Sequence, residues 1–314
     1  MRFKNCAPGA LCALLAGGTF MALCRFVPGL AASWRAAFLR PAGKMLAALT
    51  APLPFPVAEI AAITLLACAA LSLIRCLLFG QIRRWTKNLL RLTAALLAGY
   101  ALLWYPAYWA DAPVETAVSD AQIDALCGRL IDRLSGAPTA FPGVQETLTL
   151  AGEAASGAVK AARFPEWMEL LGISGMYVPW TGEALVRPDV SPAALPFTAV
   201  HELMHARGIA DEGLANIAAW QVCQGAGGAL AASADLWALR YAMGALKTLD
   251  EDAWRANAAR MSQELRKVFA GMNGFAPLCP TSKNILQTAA GLGRSLSNYD
   301  ALTGWLAIDI FHLN

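Results

Sequence analysis

The sequence predicts a mainly α-helical protein in two parts, three membrane-spanning helices followed by a helical domain that contains a small β-hairpin. The chain of 314 residues is 57% hydrophobic and only 15% charged, whereas soluble domains are usually about 45–50% apolar and about 25% charged. The apolar excess lies before Asp111, and the pattern beyond it is that of amphipathic helices. We therefore assign residues 1–110 to a transmembrane region and residues 111–314 to a second domain.

Three apolar runs in the first part are each long enough for a transmembrane helix. They cover about 6–23, 57–74 and 92–110, and a helix needs about 20 residues to cross roughly 30 Å of hydrocarbon. The third run ends in aromatic residues of the kind found at membrane interfaces, Trp104, Tyr105, Tyr108 and Trp109. The first run has a short basic start, so a cleaved signal peptide is the alternative there.

Basic residues near the ends of these runs predict the orientation of the transmembrane region. The sequence between the second and third runs carries Arg83, Arg84, Lys87 and Arg91. Loops rich in Lys and Arg remain in the cytoplasm, so we expect a cytoplasmic N-terminus and an extracytoplasmic second domain. A second basic group lies between the first two runs and argues for the opposite orientation. It consists of Arg25, Arg35, Arg40 and Lys44. We expect the shorter and denser group to decide.

The second domain begins with two predicted helices and a hairpin. Residues 120–134 carry an apolar stripe after Ser119, a residue type that caps helices, and the Ala-rich residues 146–162 predict another helix. Two short β-prone runs around a Pro/Gly turn predict a hairpin at about 177–186, whose edge could pair with an extended peptide. The rest is predicted to be mostly helical.

The cysteines and the net charge exclude two classes of site. The chain has eight cysteines and no C-x-x-C pair, so we expect no cysteine-based zinc site. The second domain contains Cys127, Cys223 and Cys279. Two of them could form a disulfide, or all three could be buried as small hydrophobic residues, and we favour burial. A net charge of +3 is too small to indicate a nucleic-acid partner.

The informative motif is H-E-x-x-H, in which His201 and His205 flank Glu202. Residues four apart are neighbours on one face of a helix, so both imidazoles can reach one Zn²⁺ at about 2.0–2.1 Å. Glu202 lies beside that face, where its carboxylate can take a proton from a zinc-bound water. The chain has only three histidines, and two of them fall in this motif. The pattern therefore predicts a hydrolytic zinc centre.

A third protein ligand is expected just beyond the motif, because catalytic zinc takes three protein ligands and leaves a fourth position for water. Gly208 suits a left-handed helix end from which the chain doubles back. Two carboxylates follow this bend, and we favour Glu212, with Asp211 as the alternative. Asn216 is one turn beyond Glu212 and is expected to orient a ligand.

Zinc peptidases also need a hydrogen-bond donor that stabilises the oxyanion formed at the scissile carbonyl. Tyr299 is a candidate, and Tyr241 and His312 are two others. Tyrosines on helices more often pack in cores than serve as donors, so packing is the expected role for most of them.

Four segments of the second domain resemble a known family. They are the run from Gly172 to Ala184, the run from Leu195 to Thr198, the motif through Gly208, and Glu212-Gly-Leu-Ala-Asn. Together they resemble the bacterial DUF3810 family. The resemblance implies N-terminal membrane helices, an extracytoplasmic zincin-like domain and a location in the bacterial cell membrane. The family usually has a second Glu at the position of Leu214, so a ligand there would have to be replaced by Asp211 or Glu212.

Two functions are compatible with these features. The first is a membrane-anchored zinc metallopeptidase of peptide or protein substrates near the lipid bilayer, with Glu202 as general base. The second is a catalytically inactive zincin-like protein that acts as a binding or sensor module, which the departure at Leu214 keeps open. An intramembrane protease is not expected, because Pro196 and the Pro-rich sequence before it leave no room for a span around the motif.

Overall fold

The computed structural model describes residues 8–112, 118–272 and 300–312. The chain is mainly helical, with long apolar helices near its N-terminus and one small sheet, so the predicted mainly α class is confirmed. It divides into two compact units, which are described separately. The first comprises Met1–Ala112 with Val178–Glu183, and the second comprises Pro113–Tyr177 with Ala184–Asn314.

The first unit consists of helical segments joined by short turns. They are α1 (Pro8–Phe26), α2 (Leu30–Trp34), a π-helical turn (Arg35–Leu39), α3 (Arg40–Thr50), α4 (Val57–Phe79), α5 (Ile82–Leu103) and a 3-10 turn (Tyr105–Trp109). Three segments are long and apolar enough to cross a membrane, Pro8–Phe26, Val57–Phe79 and Ile82–Trp109. Large apolar side chains such as Leu15, Leu71 and Leu97 are exposed on them. The structure therefore contains the three long apolar helices that the sequence predicts.

The third apolar helix begins earlier than predicted. It starts at Ile82 instead of near residue 92. Gly80 has a left-handed φ of 61° that ends α4, and the Arg, Lys and Leu residues that follow are good helix formers. The basic group that was expected in a loop thus lies in the first turns of α5.

Small residues let α1 and α5 pack closely. Ala10 and Ala94 are buried together, and a Cβ added to Gly17 would lie 3.7 Å from the Cβ of Ala101. Approach through small side chains is a common way for helices to associate in lipid, where apolar burial itself offers no driving force.

Glu183 caps the N-terminus of α4. Its carboxylate accepts hydrogen bonds from the backbone N–H groups of Val57 at 2.9 Å and Ala58 at 2.7 Å. A helix N-terminus has unpaired N–H groups and a positive dipole end, so a buried carboxylate is stabilised there. The segment Val178–Glu183 lies between β2 and β3 and belongs to the first unit.

The second unit contains helices and three short strands, except that Val178 of β2 and Glu183 of β3 belong to the first unit. They are α6 (Asp120–Ser135), α7 (Val144–Ala154), β1 (Val159–Ala161), α8 (Pro165–Leu171), β2 (Gly175–Val178), β3 (Glu183–Val186), α9 (Leu195–Ala206), α10 (Glu212–Ala226), α11 (Gly228–Leu249), α12 (Glu251–Arg260), α13 (Gln263–Gly271) and α14 (Asp300–His312). The predicted cap of α6 is confirmed, since Ser119 and Gln122 form a reciprocal capping box. Strands β2 and β3 form the predicted hairpin.

The helix predicted for residues 146–162 is wrong in its second half. Helix α7 ends at Ala154, and Ser156 has a positive φ of 45°. Strand β1 follows and pairs in parallel with β3, with Val159 opposite Ala184. The strand order is β1-β3-β2, so β3 is central and β2 lies at an edge. Pairing with β3 satisfies the backbone groups of β1 and overrides the helix propensity of its residues.

Helix α9 lies in the middle of the second unit. It packs against α7, α10 and α11, and nearly all of its residues are buried. Leu195, Phe197 and Leu203 point in different directions around the helix, and all three belong to one apolar cluster. A helix that is apolar all round is stable only when it is surrounded. This packing fixes the helix that carries the H-E-x-x-H motif.

Candidate metal centre

The start of α9 is held by side chains of α11. The helix has no capping side chain of its own. Instead, the buried Ser233 hydroxyl accepts a hydrogen bond from the backbone N–H of Phe197 at 3.0 Å and donates one to the Ala193 carbonyl at 2.6 Å. The Trp237 indole donates to the Ala194 carbonyl at 3.1 Å. Ser233 and Trp237 of α11 therefore anchor the N-terminal end of α9. They supply hydrogen-bond partners that the first turn of a helix lacks within itself.

The two histidines of the motif face each other. Nε2 of His201 lies 3.0 Å from Nε2 of His205, because the residues are one helical turn apart. Helix α9 ends at Ala206, and Gly208 takes a left-handed φ of 80°. The chain thus turns back immediately after the second histidine, as expected.

The orientation of His205 is fixed by this turn. Its Nδ1 lies 2.7 Å from the carbonyl oxygen of Ile209. A carbonyl only accepts hydrogen bonds, so Nδ1 carries a hydrogen and Nε2 is the ring nitrogen that faces His201 and Glu212. Metal-binding histidines use this kind of backbone contact to set their tautomer and ring orientation. The sequence does not predict this role of Ile209, because a backbone carbonyl leaves no trace in residue identity.

The structure separates the two candidate carboxylates. Asp211 is the N-cap of α10, and its Oδ1 accepts the N–H of Leu214 at 3.0 Å. Glu212 is the first residue of that helix, and its carboxylate oxygens lie 3.2 Å from Nε2 of His201 and 3.6 Å from Nε2 of His205. Glu212 therefore joins the two histidines, and Asp211 does not.

The geometry of the three donors suits a tetrahedral cation. One ligand atom from each of His201, His205 and Glu212 lies within 4.8 Å of the other two. Ligands at about 2.0–2.1 Å from a tetrahedral zinc lie about 3.3 Å from one another. The observed separations of 3.0, 3.2 and 3.6 Å bracket this value. Two imidazoles and one carboxylate are also a donor set that catalytic zinc uses.

When no cation is bound, the histidines and Glu212 shift each other's pKa values. Burial by itself lowers the pKa of His205, but the Glu212 carboxylate outweighs it and raises that pKa to about 9. Burial also raises the pKa of Glu212, but His205 and His201 outweigh it and hold this pKa far below its usual range. The carboxylate thus attracts positive charge to the point where a cation would sit.

Glu202 lies beside the donors and presses against β2. A Cβ added to Gly175 would lie only 2.5 Å from Oε1 of Glu202. Oε2 is buried and has no hydrogen-bond partner among the residues that the structure describes. Burial raises the pKa of Glu202 to about 7, against the opposing effect of His205 and His201. An unpartnered carboxylate oxygen of near-neutral pKa is suited to accept a proton from a water molecule.

Of the other predicted site residues, Asn216 and Tyr241 are described, and neither joins this cluster. Asn216 is buried, but its Nδ2 has no hydrogen-bond partner in the described ranges, so the expected contact to a ligand is not seen through that atom. Tyr241 packs on the ring of Trp237. Tyr299 and Cys279 lie outside the described residues, and the side chain of His312 is not described either.

The cysteines of the second unit follow the favoured prediction where they are described. Cys127 and Cys223 are free and buried. Burial raises the pKa of the Cys127 thiol to about 12, and it raises that of Cys223 as well. Both side chains are part of apolar clusters, which is the ordinary role of a buried thiol.

A protein-family model matches most of the chain. The family model described as "Protein of unknown function (DUF3810)" matches residues 37–285. No curated protein and no solved structure matches the chain. The match covers both the α3–α5 region and the metal centre.

Proposed function

Since the chain belongs to the DUF3810 family, whose description assigns no function, we propose from the geometry of the metal centre that it is a membrane-anchored zinc metallopeptidase. The observation that carries this proposal is the convergence of His201, His205 and Glu212 at tetrahedral spacing beside the unpartnered Oε2 of Glu202. A structural zinc site has four protein ligands, whereas a catalytic one has three and an open position.

Each residue of the site has a role in peptide hydrolysis. When bound, Zn²⁺ supplies a water of lowered pKa and polarises the scissile carbonyl. The two histidines and Glu212 hold the cation, and the Ile209 carbonyl keeps the His205 ring oriented. Glu202 accepts a proton from the attacking water and delivers it to the leaving amine.

The hairpin offers a way to hold an extended substrate. Strand β2 is at the edge of the sheet, and its Gly175 is in contact with Glu202. The backbone of an edge strand can pair with an extended peptide. A peptide that pairs along β2 would pass directly beside the proposed general base. This supports a peptide or protein substrate over a small molecule.

We propose that the N-terminus lies in the cytoplasm and the second unit lies outside the bacterial cell membrane, as the basic residues of the sequence predict. Two of the four basic residues that argued against it are engaged within the first unit. Arg35 forms an ion pair with Asp111, and the Arg25 guanidinium lies 5.0 Å from the ring centroid of Trp109. The basic group at the start of α5 lies at the opposite end of that helix from the point where the chain leaves for the second unit.

The alternative function, an inactive binding or sensor module, stays a prediction. It rested on the replacement of a family Glu by Leu214. The carboxylate that meets the histidines belongs to Glu212, so the ligand set does not depend on position 214. We therefore advance only the peptidase.

The decisive experiment uses the full chain purified in detergent. We expect about one zinc per chain, retained by Glu202→Gln and lost by His205→Ala. Cleavage of a fluorogenic peptide library should be abolished by both changes. A wild-type protein that binds no zinc would refute the metal centre. Zinc bound equally by both variants, or cleavage that survives Glu202→Gln, would refute the proposed chemistry.

A further inference from the structure

Helix α3 has an exposed apolar stripe that the three long helices do not explain. Met45 and Leu49 are one turn apart and are 61% and 67% exposed. Phe38 before the helix and Leu53 after it are also exposed. Isolated exposed apolar residues are common on proteins, but a continuous stripe marks a surface that contacts something apolar.

The other sides of α3 differ sharply from this stripe. Arg40 and Lys44 are exposed and one turn apart, and the whole segment Leu30–Thr50 contains no acidic residue. Gly43 and Thr50 are buried on a third side. The helix is thus divided into an apolar face, a basic face and a packed face.

The contacts of the packed face prevent α3 from rotating about its own axis. A Cβ added to Gly182 would lie 2.5 Å from the backbone nitrogen of Ala47 and 2.8 Å from the carbonyl oxygen of Gly43. The Thr50 hydroxyl donates to the Thr181 carbonyl at 3.3 Å. Because one side is held this closely, Met45 and Leu49 cannot turn inward to be buried.

The segment that contains α3 starts at the level of an interfacial aromatic cluster. The Trp34 indole donates to the carbonyl of Leu102 near the end of α5, at 2.9 Å, and its ring packs against Phe20 and Phe38. Just beyond Leu102 come the aromatic residues Trp104, Tyr105, Tyr108 and Trp109. Trp and Tyr concentrate where hydrocarbon meets the polar headgroups, so this contact places the segment at that depth.

From these features we propose that α3 lies in the plane of the membrane interface, with Met45 and Leu49 in the acyl chains and Arg40 and Lys44 at anionic headgroups. Its 11 residues span only about 16 Å, too short to cross the bilayer. An apolar face beside basic residues is the pattern of interfacial helices, which bind anionic lipid most strongly. In the sequence, this interfacial helix lies between the long apolar helices α1 and α4.

The test is photo-crosslinking in nanodiscs of phosphatidylcholine and phosphatidylglycerol, with benzoylphenylalanine placed in the full chain at one position at a time. The test position is Leu49, and Leu71 on α4 is the reference for lipid contact. Leu249 is the matched control, since it is a similarly exposed leucine in the second unit. We expect lipid adducts at Leu49 at a level like that of Leu71 and at least about fivefold above Leu249.

Two results would overturn the proposal. One is a lipid signal at Leu49 no higher than at Leu249. The other is crosslinking of Leu49 mainly to protein, which would mean that a protein partner covers the stripe. The headgroup assignment is tested by Arg40→Ala with Lys44→Ala, which should lower the phosphatidylglycerol share of the adducts at Leu49. An unchanged share would refute a role for these two charges.

Discussion

Gly175 of the edge strand β2 and Glu202 of the H-E-x-x-H motif are in direct contact. A side chain as small as one methyl group at Gly175 would lie 2.5 Å from Oε1 of Glu202 and 2.6 Å from its Cγ. Heavy atoms do not approach this closely without a bond, so either the strand or the carboxylate would have to move. The glycine is therefore what allows the strand backbone and the proposed general base to lie side by side.

Gly175→Ala should lower kcat/KM for peptide cleavage by roughly 10- to 100-fold, since a displacement of about 1 Å at a catalytic group has effects of this size. Zinc content should not change, because none of the three donors is touched. Gly225→Ala is the control, because a Cβ there meets nothing within 4 Å. Full activity in Gly175→Ala would show that the contact has no role in positioning Glu202.

Glu212 and Asp211 should respond very differently to loss of charge. Glu212→Gln removes a direct donor, so zinc affinity should fall by more than about 100-fold, beyond the effect typical of outer contacts. Asp211→Asn keeps a good helix cap and should leave affinity within about threefold. Competition with a chelating dye measures both. The opposite ranking would transfer the ligand role to Asp211.

Zinc binding should release a proton at neutral pH. With no cation bound, His205 has a pKa of about 9, so it is protonated at pH 7 and must lose that proton to present Nε2. Apparent affinity should therefore rise about tenfold per pH unit from pH 6.5 towards 9 and level off above it. Calorimetry in buffers of different ionisation enthalpy counts the protons. An affinity that is flat over this range would mean that His205 is already neutral.

The stability of the zinc-free protein should depend on pH in a defined direction. The folded pKa of His205 is raised above its ordinary 6.5, so its contribution is complete below 6.5 and is lost as the pH rises through about 9. The folded pKa of Glu212 is lowered, so its contribution is complete above its ordinary 4.5 and is lost as the pH falls. Thermal unfolding with chelator present should show this ion pair stabilising most between about pH 4.5 and 6.5. In Glu212→Gln the loss between pH 6.5 and 9 should disappear.

Ser233→Ala should destabilise the protein although Ser233 is far from α9 in sequence. The change leaves the Phe197 N–H and the Ala193 carbonyl buried without their partner, at a cost of about 1–3 kcal/mol. Ser135→Ala is the matched control, since the hydroxyl of this exposed residue donates to the Ile131 carbonyl within its own helix. The loss of helical circular dichroism on heating can follow unfolding. Equal melting temperatures for the two variants would contradict the anchoring role of Ser233.

Local patterns were enough to predict the elements that depend on neighbouring residues. The three apolar helices follow from the length of their runs, and the cap of α6 follows from Ser119 and its local partner. His201 and His205 lie on the same face of α9 because they are one helical turn apart. The apolar pattern underestimates the extent of α5, because the basic residues at the start of the helix lie outside the apolar run although they favour helix.

Contacts between distant residues decided the rest. The sequence alone determined that two imidazoles share one face of a helix, because the helical repeat fixes that geometry. Only the tertiary structure decided that Glu212 and not Asp211 meets them, that Ser233 caps α9, and that Gly175 adjoins Glu202. Each of these depends on how separate segments pack against one another, and packing is not encoded in the periodicity of any single segment.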